Sequence, residues 1–565
     1  MSGGNKMAAI HKIACGAFGL ASVVAMPSMA LANSTPPPPA PPMSEFAKRC
    51  DALNFLNLES AADSPGKIVA TMVVEGKKVS PQEQIMFVKR GHSQGNPTPT
   101  LAEYPAHCRV DGYVTPHVKF AMVLPPQEKW NSRFMLAACD AWCGRVGDDI
   151  VVPGLHHGYA TITNDGGHYG RAPFDGIWAH RNIPARIDFA HRANHVSAQV
   201  GKAIAASFYG AAPKFSYIAG FSKGGNAGLM AAQRYPEDFD GVFVKAPVVN
   251  YNPKNAAHFP WVALAVHPDG KTPLLYSDKI PLLHKGVMDN CDAVDGLKDG
   301  VIDDPRNCKY DPVVLLCKPG QSEEKNECLT MPQVDAVRKI YAKPVNSRGE
   351  VYFDYPTDIS SEHDWGRSIL PVRGSTEVGA PFALNGAATG LRYMALKDNA
   401  GPDFDWMSFD YVKEKARIDE MSEILDPDDV DLSAFKKRGG KLIIVHGWGD
   451  AMISANMTAD WFNKVQASMG GAKPVSDFAQ LYLVPGMDHG SGGSGPFVFD
   501  TQSALVAWVE KGIAPSQLLL ENGPAEKTKR MRPAFPYPAY AKYKGKGDPN
   551  VAESFIRAEP MPARK

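Results

Sequence analysis

A serine set between glycines, where an apolar run gives way to a run of small residues, can serve as a nucleophile, and IAGFSKGGNAG (218–228) has that form. Gly220-Phe221-Ser222-Lys223-Gly224 satisfies G-x-S-x-G. At a sharp strand-to-helix turn, side chains two residues either side of the serine would collide with neighbouring backbone, so glycine is required there and the hydroxyl is pushed outward. The same turn brings the Lys223 backbone N–H to a helix N-terminus, where it can donate to an oxyanion. The pentapeptide alone also fits a glycine-rich loop before an ordinary helix; the apolar strand pattern before it and the helical pattern after it favour the elbow.

A serine hydroxyl is a weak nucleophile until a base takes its proton, and the base needs an acid to fix its tautomer. With such an elbow the chain order is Ser, then Asp or Glu, then His. Asp450 closes KLIIVHGWGD, and His489 follows AQLYLVPG in LVPGMDHGSGG, so both are expected at strand ends on the edge that carries Ser222. His446, His156, His157, His168 and His195 read as hydrogen-bonded structural histidines. Asp488 reads as a loop carboxylate, because a next-door side chain cannot easily reach back to the imidazole.

The elements that must position these groups alternate along the chain. VKFAMVLP, RFMLAA, GYATITND, FSYIAG and GVFVKAP read as strands, as do the later KLIIVHG and AQLYLVPG. Between them PARIDFAHRANHVSAQVGKAIAASFYG has apolar residues at helical spacing, and TQSALVAWVEKG reads as a late helix. The expected fold is α/β, with its sheet split into residues 44–250 and 437–565. Residues 251–436, rich in Asp, Asn, Pro and Gly with no regular alternation, read as an inserted domain over the carboxyl ends of the strands, where open α/β sheets bind ligands.

A chain of 565 residues with 44% hydrophobic content can bury a large core, and 60 basic against 60 acidic side chains leave no global field for nucleic acid or an anionic membrane. The partner is expected to be a small molecule. Lys6 and Lys12 precede an apolar run over 13–25, and Ala30-Leu31-Ala32 has the small-x-small form of a signal-peptidase site. Residues 1–32 therefore read as a cleaved leader, since a membrane anchor needs about 20 apolar residues. NSTPPPPAPPM (33–43) reads as a polyproline spacer. Of nine cysteines, Cys15 leaves with the leader; the remaining eight imply disulfides in an oxidising compartment. Local spacing favours Cys139 with Cys143, Cys291 with Cys308 and Cys317 with Cys328, leaving Cys50 for Cys108.

CDAVDGLKDGVIDDPRNC (291–308) places Asp292, Asp295 and Asp299 around Asp-Gly turns. Hard oxygen ligands on a flexible turn suit calcium, although the spacing is not that of an EF-hand. A metal-free run of turns clamped by Cys291 and Cys308 is the other reading. In the insertion, Trp365, Phe382, Tyr393, Phe404 and Trp406 could stack on an aromatic ring, and Arg367 or Arg373 could pair with a substrate carboxylate; core aromatics and solvated arginines are the plainer alternatives.

SYIAGFSKGGNAGLMAAQRYPEDFDGVFVKAP with TNDGGH, RIDFAHRANH, HGWGD and PGMDHGSGG resembles the tannase and feruloyl esterase family over nearly the whole mature chain. The resemblance implies an α/β-hydrolase with a large inserted lid domain, secreted or periplasmic, cleaving aromatic carboxylic esters through Ser222, Asp450 and His489 without an organic cofactor. It implies a second oxyanion donor in NSRFMLAACDAWCG, the backbone N–H of Asp140 or otherwise Cys139. It also implies a structural calcium in the lid, with carboxylates from Asp292, Asp295 and Asp299 and carbonyls from Leu297 and Val301. Where the family joins the nucleophile and base segments by a disulfide, this chain has Phe221 and Gly490, and a second bridge is replaced by Phe535 and Arg557. Phe221 is expected to pack over Gly490 in place of the covalent tie. An esterase or lactonase acting on a nonaromatic or polymer-derived ester, and a noncatalytic periplasmic binding relative, are the competing readings.

Overall fold

Continuous apolar runs become strands buried on both faces, and they dominate the sheet of this protein. A computed structural model describes residues 44–95, 103–374, 381–398, 401–523 and 529–559, without the side chains of residues 92, 93 and 367. The expected leader (1–32) and proline-rich spacer (33–43) lie outside the described residues.

Nine strands form one sheet: β1 (Gly66–Val74), β2 (His107–Val114), β3 (Val118–Leu124), β4 (Arg133–Ala137), β5 (Ala160–Asn164), β6 (Phe215–Phe221), β7 (Gly241–Lys245), β8 (Lys441–Gly447) and β9 (Ala479–Val484). Their order is β1-β2-β3-β5-β4-β6-β7-β8-β9. From β5 to β9 all neighbours are parallel, whereas β1, β2 and β3 join antiparallel. Every residue of β5 and β7 is buried. Parallel strands deliver their carboxyl ends to one edge, so the segments after β4, β6, β8 and β9 all emerge together.

All seven strands expected from the sequence are present. β1 and β2 were not among them: Lys67 in one, and Arg109, Asp111 and Gly112 in the other, interrupt the apolar pattern of strands near the sheet edge. The hairpins Leu518–Glu521 with Met531–Ala534 and Tyr540–Tyr543 with Phe555–Ala558 are further additions. The long helical pattern resolves into a short helix Ile183–Ile187, a π-helical turn Asp188–Arg192 and α1 (Ala193–Tyr209), which ends at Gly210 in the left-handed region (φ 71°). α2 (Lys223–Arg234) follows the serine, and Thr501–Lys511 is the late helix expected.

Between β7 and β8 the described chain contributes helices, among them Phe259–Val266, Ile280–Cys291, Met331–Tyr341, Phe382–Tyr393 and Tyr411–Leu425, and none of the nine strands. Its buried Ile340, Trp365, Leu391 and Ile418 belong to the same hydrophobic cluster as Val196, Val244 and Leu442 of the sheet and its helices. Residues 44–565 thus form one compact unit.

Four disulfides join Cys50 to Cys108, Cys139 to Cys143, Cys291 to Cys308 and Cys317 to Cys328. The first ties the amino-terminal helix Glu45–Ala52 to β2 across a separation of 58 residues. Closing a loop of that length removes chain entropy from the unfolded state. The double variant Cys50→Ala/Cys108→Ala is therefore expected to lose roughly 2–4 kcal/mol of stability, read as a lowered urea midpoint, with a slope that rises as the freed unfolded chain expands.

Candidate active site

Ser222 sits between β6 and α2 with φ 58° and ψ −116°, a conformation that non-glycine residues rarely adopt. Its amide donates to the Lys245 carbonyl at 2.9 Å, which anchors the turn to β7. A Cβ at Gly220 would stand 2.0 Å from the Gly224 carbonyl oxygen, and one at Gly224 would stand 2.9 Å from the Cys139 carbonyl oxygen. Both glycines are there because backbone already occupies the space. The segment after β4 is thereby pressed against the elbow, and Cys139 and Asp140 line the cavity beside Ser222.

The hydroxyl of Ser222 donates to His489 Nε2 at 3.1 Å, and His489 Nδ1 donates to Asp450 Oδ2 at 2.7 Å. Asp450 is fully buried, and its Oδ1 accepts from the amides of Met452 and Ile453, both at 2.9 Å. The loops are joined by backbone as well, since the Gly449 amide donates to the Met487 carbonyl at 2.9 Å. His446 is more than a bystander: its Nε2 donates to Asp450 Oδ2 at 3.1 Å and to the Ile453 carbonyl at 3.0 Å, leaving Nδ1 to face the Thr458 hydroxyl at 2.8 Å. Spacing could not reveal this, because His446 is four residues from the acid within a buried strand end and reads as core.

The other histidines are structural. His168 Nε2 donates to the Trp142 carbonyl at 2.7 Å and its ring stacks on Trp178, and burial pushes it down to about 4. His195 bridges Asp238 and Asp63. His156 and His157 lie exposed on their helix end.

Burial acts to raise Asp450, but the charges and hydrogen bonds of His489 and His446 outweigh it and hold the carboxyl well below the usual range. Burial acts to lower His489, and the Asp450 charge and hydrogen bond reverse this, so its pKa is raised. Asp488 is pushed up to about 9 by burial and by the nearby Asp364, Asp450 and Glu362. A neutral Asp488 leaves Asp450 as the ionised partner of the imidazole.

Ser222 and His489 open into a cavity of about 420 Å³ whose walls include Phe174, Phe221, Phe382 and Met452, with Arg90, Arg145 and Arg171 beside them. Of the five aromatic residues singled out in the insertion, Phe382 alone reaches it, edge-tilted on Phe174 with ring centres 5.0 Å apart. Trp365 and Trp406 are core, Phe404 packs near Phe409, and Tyr393 lies against His180. Arg373 is elsewhere, paired with Asp278 at 2.9 Å and stacked on Tyr276; the Arg367 side chain lies outside the described residues. The cavity's arginines come instead from outside the insertion, Arg90 from the helix Pro81–Ser93 and Arg145 and Arg171 from irregular segments. Arg90 bonds Asp140 at 2.5 Å, Arg145 bonds Asp149 at 2.7 Å, and Arg171 bonds Asp175 at 2.8 Å.

No residue of the Asp-rich turn lines this cavity. Asp292 accepts from the amides of Asp299 and Gly300 at 3.2 and 2.8 Å, and Asp295 from those of Leu297 and Asp303, both at 3.0 Å. Arg532 pairs with Asp299 and, at 3.2 Å, with Asp303. Among the described residues no three His, Cys, Asp or Glu side chains converge as a metal site. The donor chemistry nevertheless suits a hard cation. Burial pushes Asp303 up to about 7, with Arg532 opposing it and Asp295, Asp299 and Asp304 adding to it, so several carboxylates of the turn lie within reach of one another.

Residues 103–558 match the family model described as tannase and feruloyl esterase. The chain belongs to the tannase and feruloyl esterase family. It is 32% identical to mono(2-hydroxyethyl) terephthalate hydrolase of Piscinibacter sakaiensis, across 82% of this chain and 86% of that protein. It is 30% identical to a probable feruloyl esterase of Arthroderma benhamiae, across 78% and 83% respectively. The crystal structure of feruloyl esterase B from Aspergillus oryzae superposes with a TM-score of 0.75 at 25% identity, covering 91% of this chain and all of that one. The fold is accordingly that of an α/β-hydrolase, and the chain is a carboxylic ester hydrolase.

In this family member Phe221 does lie over Gly490. A Cβ on Gly490 would stand 2.2 Å from Phe221 Cε2, and the Phe221 and His489 ring centres are 4.6 Å apart. Gly490 is also in the left-handed region, φ 78°. Gly490→Ala therefore meets both backbone strain and a ring. It is expected to displace His489 and lower kcat by about 100-fold, while Phe221→Leu, which leaves room, falls by less; steady-state kinetics on a chromogenic aryl ester compares the two.

Proposed function

We propose that this protein is a serine esterase that hydrolyses esters of aromatic carboxylic acids through an acyl-enzyme. The observation that carries the reading is the unbroken hydrogen-bond chain Ser222–His489–Asp450, which opens into a cavity walled by Phe174, Phe221 and Phe382. Ser222 Oγ attacks the ester carbonyl while His489 Nε2 takes its proton. The amide of Lys223 and one from Asp140 or Cys139 hold the oxyanion, and His489 then returns the proton to the departing alcohol. Water, deprotonated by the same imidazole, releases the acid. Asp450 stays ionised and stabilises the imidazolium.

An aromatic acid is the half of the substrate that the phenylalanine walls favour, by ring contacts worth about 0.5–1.5 kcal/mol each beyond burial. Relatives named for terephthalate monoester and ferulate ester hydrolysis point the same way. Residues 251–436 act as the lid that contributes Phe382 to this wall. Four disulfides and the leader pattern support export to the periplasm or the medium, and no described helix is long and apolar enough to cross a membrane.

Calcium in the Asp-rich turn would be held by Asp292, Asp295 and Asp299 with the carbonyls of Leu297 and Val301. Its contribution there is charge neutralisation that stiffens the turn.

Fluorophosphonate labelling with hydrolysis of methyl ferulate, methyl gallate and a terephthalate monoester tests the reading. Labelling at Ser222, abolished in Ser222→Ala, with turnover of at least one aromatic ester is expected; aliphatic esters and lactones alone being cleaved, or no labelling at all, would overturn it. For the metal, EGTA is expected to lower the Tm by a few degrees, restored by excess calcium, with kcat at 25 °C unchanged. An unmoved Tm leaves the turn to Arg532 and the Cys291–Cys308 bond.

A further inference from the structure

The insertion grips the segment that follows the acid through two carboxylates on one short stretch, 358–364. Asp358 accepts from the Ser454 hydroxyl at 2.7 Å, the Ala455 amide at 3.2 Å and Asn456 Nδ2 at 2.8 Å. It thus sits on the first turn of the helix Ala455–Ser468, where unpaired amides favour a negative charge. Six residues later, Asp364 Oδ2 accepts from the amide of Ala451, the residue next to Asp450, at 3.2 Å. Its carboxyl also lies within interaction range of the Asp450 and His489 side chains and of the His489 amide. Asp364 is absent from the walls of the cavity, so it is not placed to touch substrate.

We propose that Asp364 is a positioning residue for the Asp450–His489 pair: it clamps the turn after Asp450 and sets a second carboxyl within reach of the charge that His489 acquires. The inference rests on the Ser222–His489–Asp450 reading above.

The surroundings make the second charge conditional. Asp450 is held ionised by His489 and His446, while Asp488 is pushed up to about 9 and is neutral through the working range. Burial and the Asp450 charge push Asp364 up to about 7, with His489 and the amides of Ala451 and His489 opposing them. Lys254, itself brought down to about 7 by burial, faces the pair from the π-helical turn Lys254–His258 and acts on His489 in the opposite sense. Glu362, on the same turn as Asp364, is committed to the Tyr341 hydroxyl at 2.5 Å and the Ser360 amide at 2.9 Å, with His284 at 3.3 Å; the His363 ring lies tilted against His284 with centres 3.8 Å apart. Asp364 and His489 therefore titrate as a coupled pair: an ionised Asp364 raises the imidazole, and a protonated imidazole draws the proton off Asp364.

The test compares wild type, Asp364→Asn, Asp364→Glu and Asp358→Asn by kcat/KM against pH on a chromogenic aryl ester, by histidine NMR titration, and by Tm. Asp364→Asn keeps an acceptor for the Ala451 amide and removes the charge. It is expected to move the acid limb, and the His489 midpoint, to lower pH by about half a unit or more, with kcat reduced several-fold and KM unchanged. Asp364→Glu is expected to restore part of the shift, and Asp358→Asn to lower the Tm without moving the limb. A His489 midpoint in Asp364→Asn equal to that of wild type overturns the proposal, whatever the Tm does. Should Asp364→Asn fail to fold, the wild-type titration decides: two inflections at His489 support the coupling, and a single-proton curve overturns it. Absence of fluorophosphonate labelling in wild type would sink the esterase reading itself; labelling with an unmoved limb sinks this inference alone.

Discussion

The turn at Ser222 is a strained backbone conformation, of a kind that costs on the order of 1–3 kcal/mol and persists only where its surroundings over-determine it. Here the surroundings are backbone on every side: the Lys245 carbonyl takes the serine amide, Gly220 lies on Gly224, and Gly224 lies on the segment after β4. The same contacts that hold the hydroxyl outward also fix the segment after β4 and the start of α2. Because these atoms belong to parallel strands in register, a displacement of any one strand along its neighbours would disturb the nucleophile and the segment after β4 together.

Electrostatics completes what geometry begins. The rim of the sheet gathers Asp450, Asp488, Asp364 and Glu362 near one imidazole, and the protein keeps them from acting alike by treating each differently. Asp450 receives two amides and two imidazoles and stays charged, whereas Asp488 is driven neutral by burial among its own kind. One unequivocal anion facing Nδ1 fixes the tautomer that a base for Ser222 needs.

Much of this was legible in the amino-acid sequence, for reasons that also explain the gaps. Strands buried within the sheet are nearly uninterrupted apolar runs, so the seven strands from β3 to β9 and the order Ser222, Asp450, His489 could be read directly. Cysteine spacing told the three local disulfides in the same way. β1 and β2 were hidden because strands near the antiparallel edge carry polar residues through their middle. The cavity wall was harder: Arg145, Arg171 and Phe174 come from loops, where no period exists, Arg90 comes from the helix Pro81–Ser93 far from the site in sequence, and the conspicuous tryptophans of the insertion, Trp365 and Trp406, turned inward to its core. His446 and Asp364 meet the acid only through space, which no local pattern can record.

The packing of Phe221 on Gly490 places the joint between nucleophile and base outside sulfur chemistry. The Cys139–Cys143 bond, by contrast, contributes both its cysteines to the cavity wall. In a reducing environment the two sides of the cavity would part company: the hydrogen bond between serine and imidazole keeps its geometry, while the segment after β4 that lies against the elbow loses its brace. Thiol status would then be felt by this hydrolase in the shape of its cavity wall, with the serine and imidazole themselves left in place.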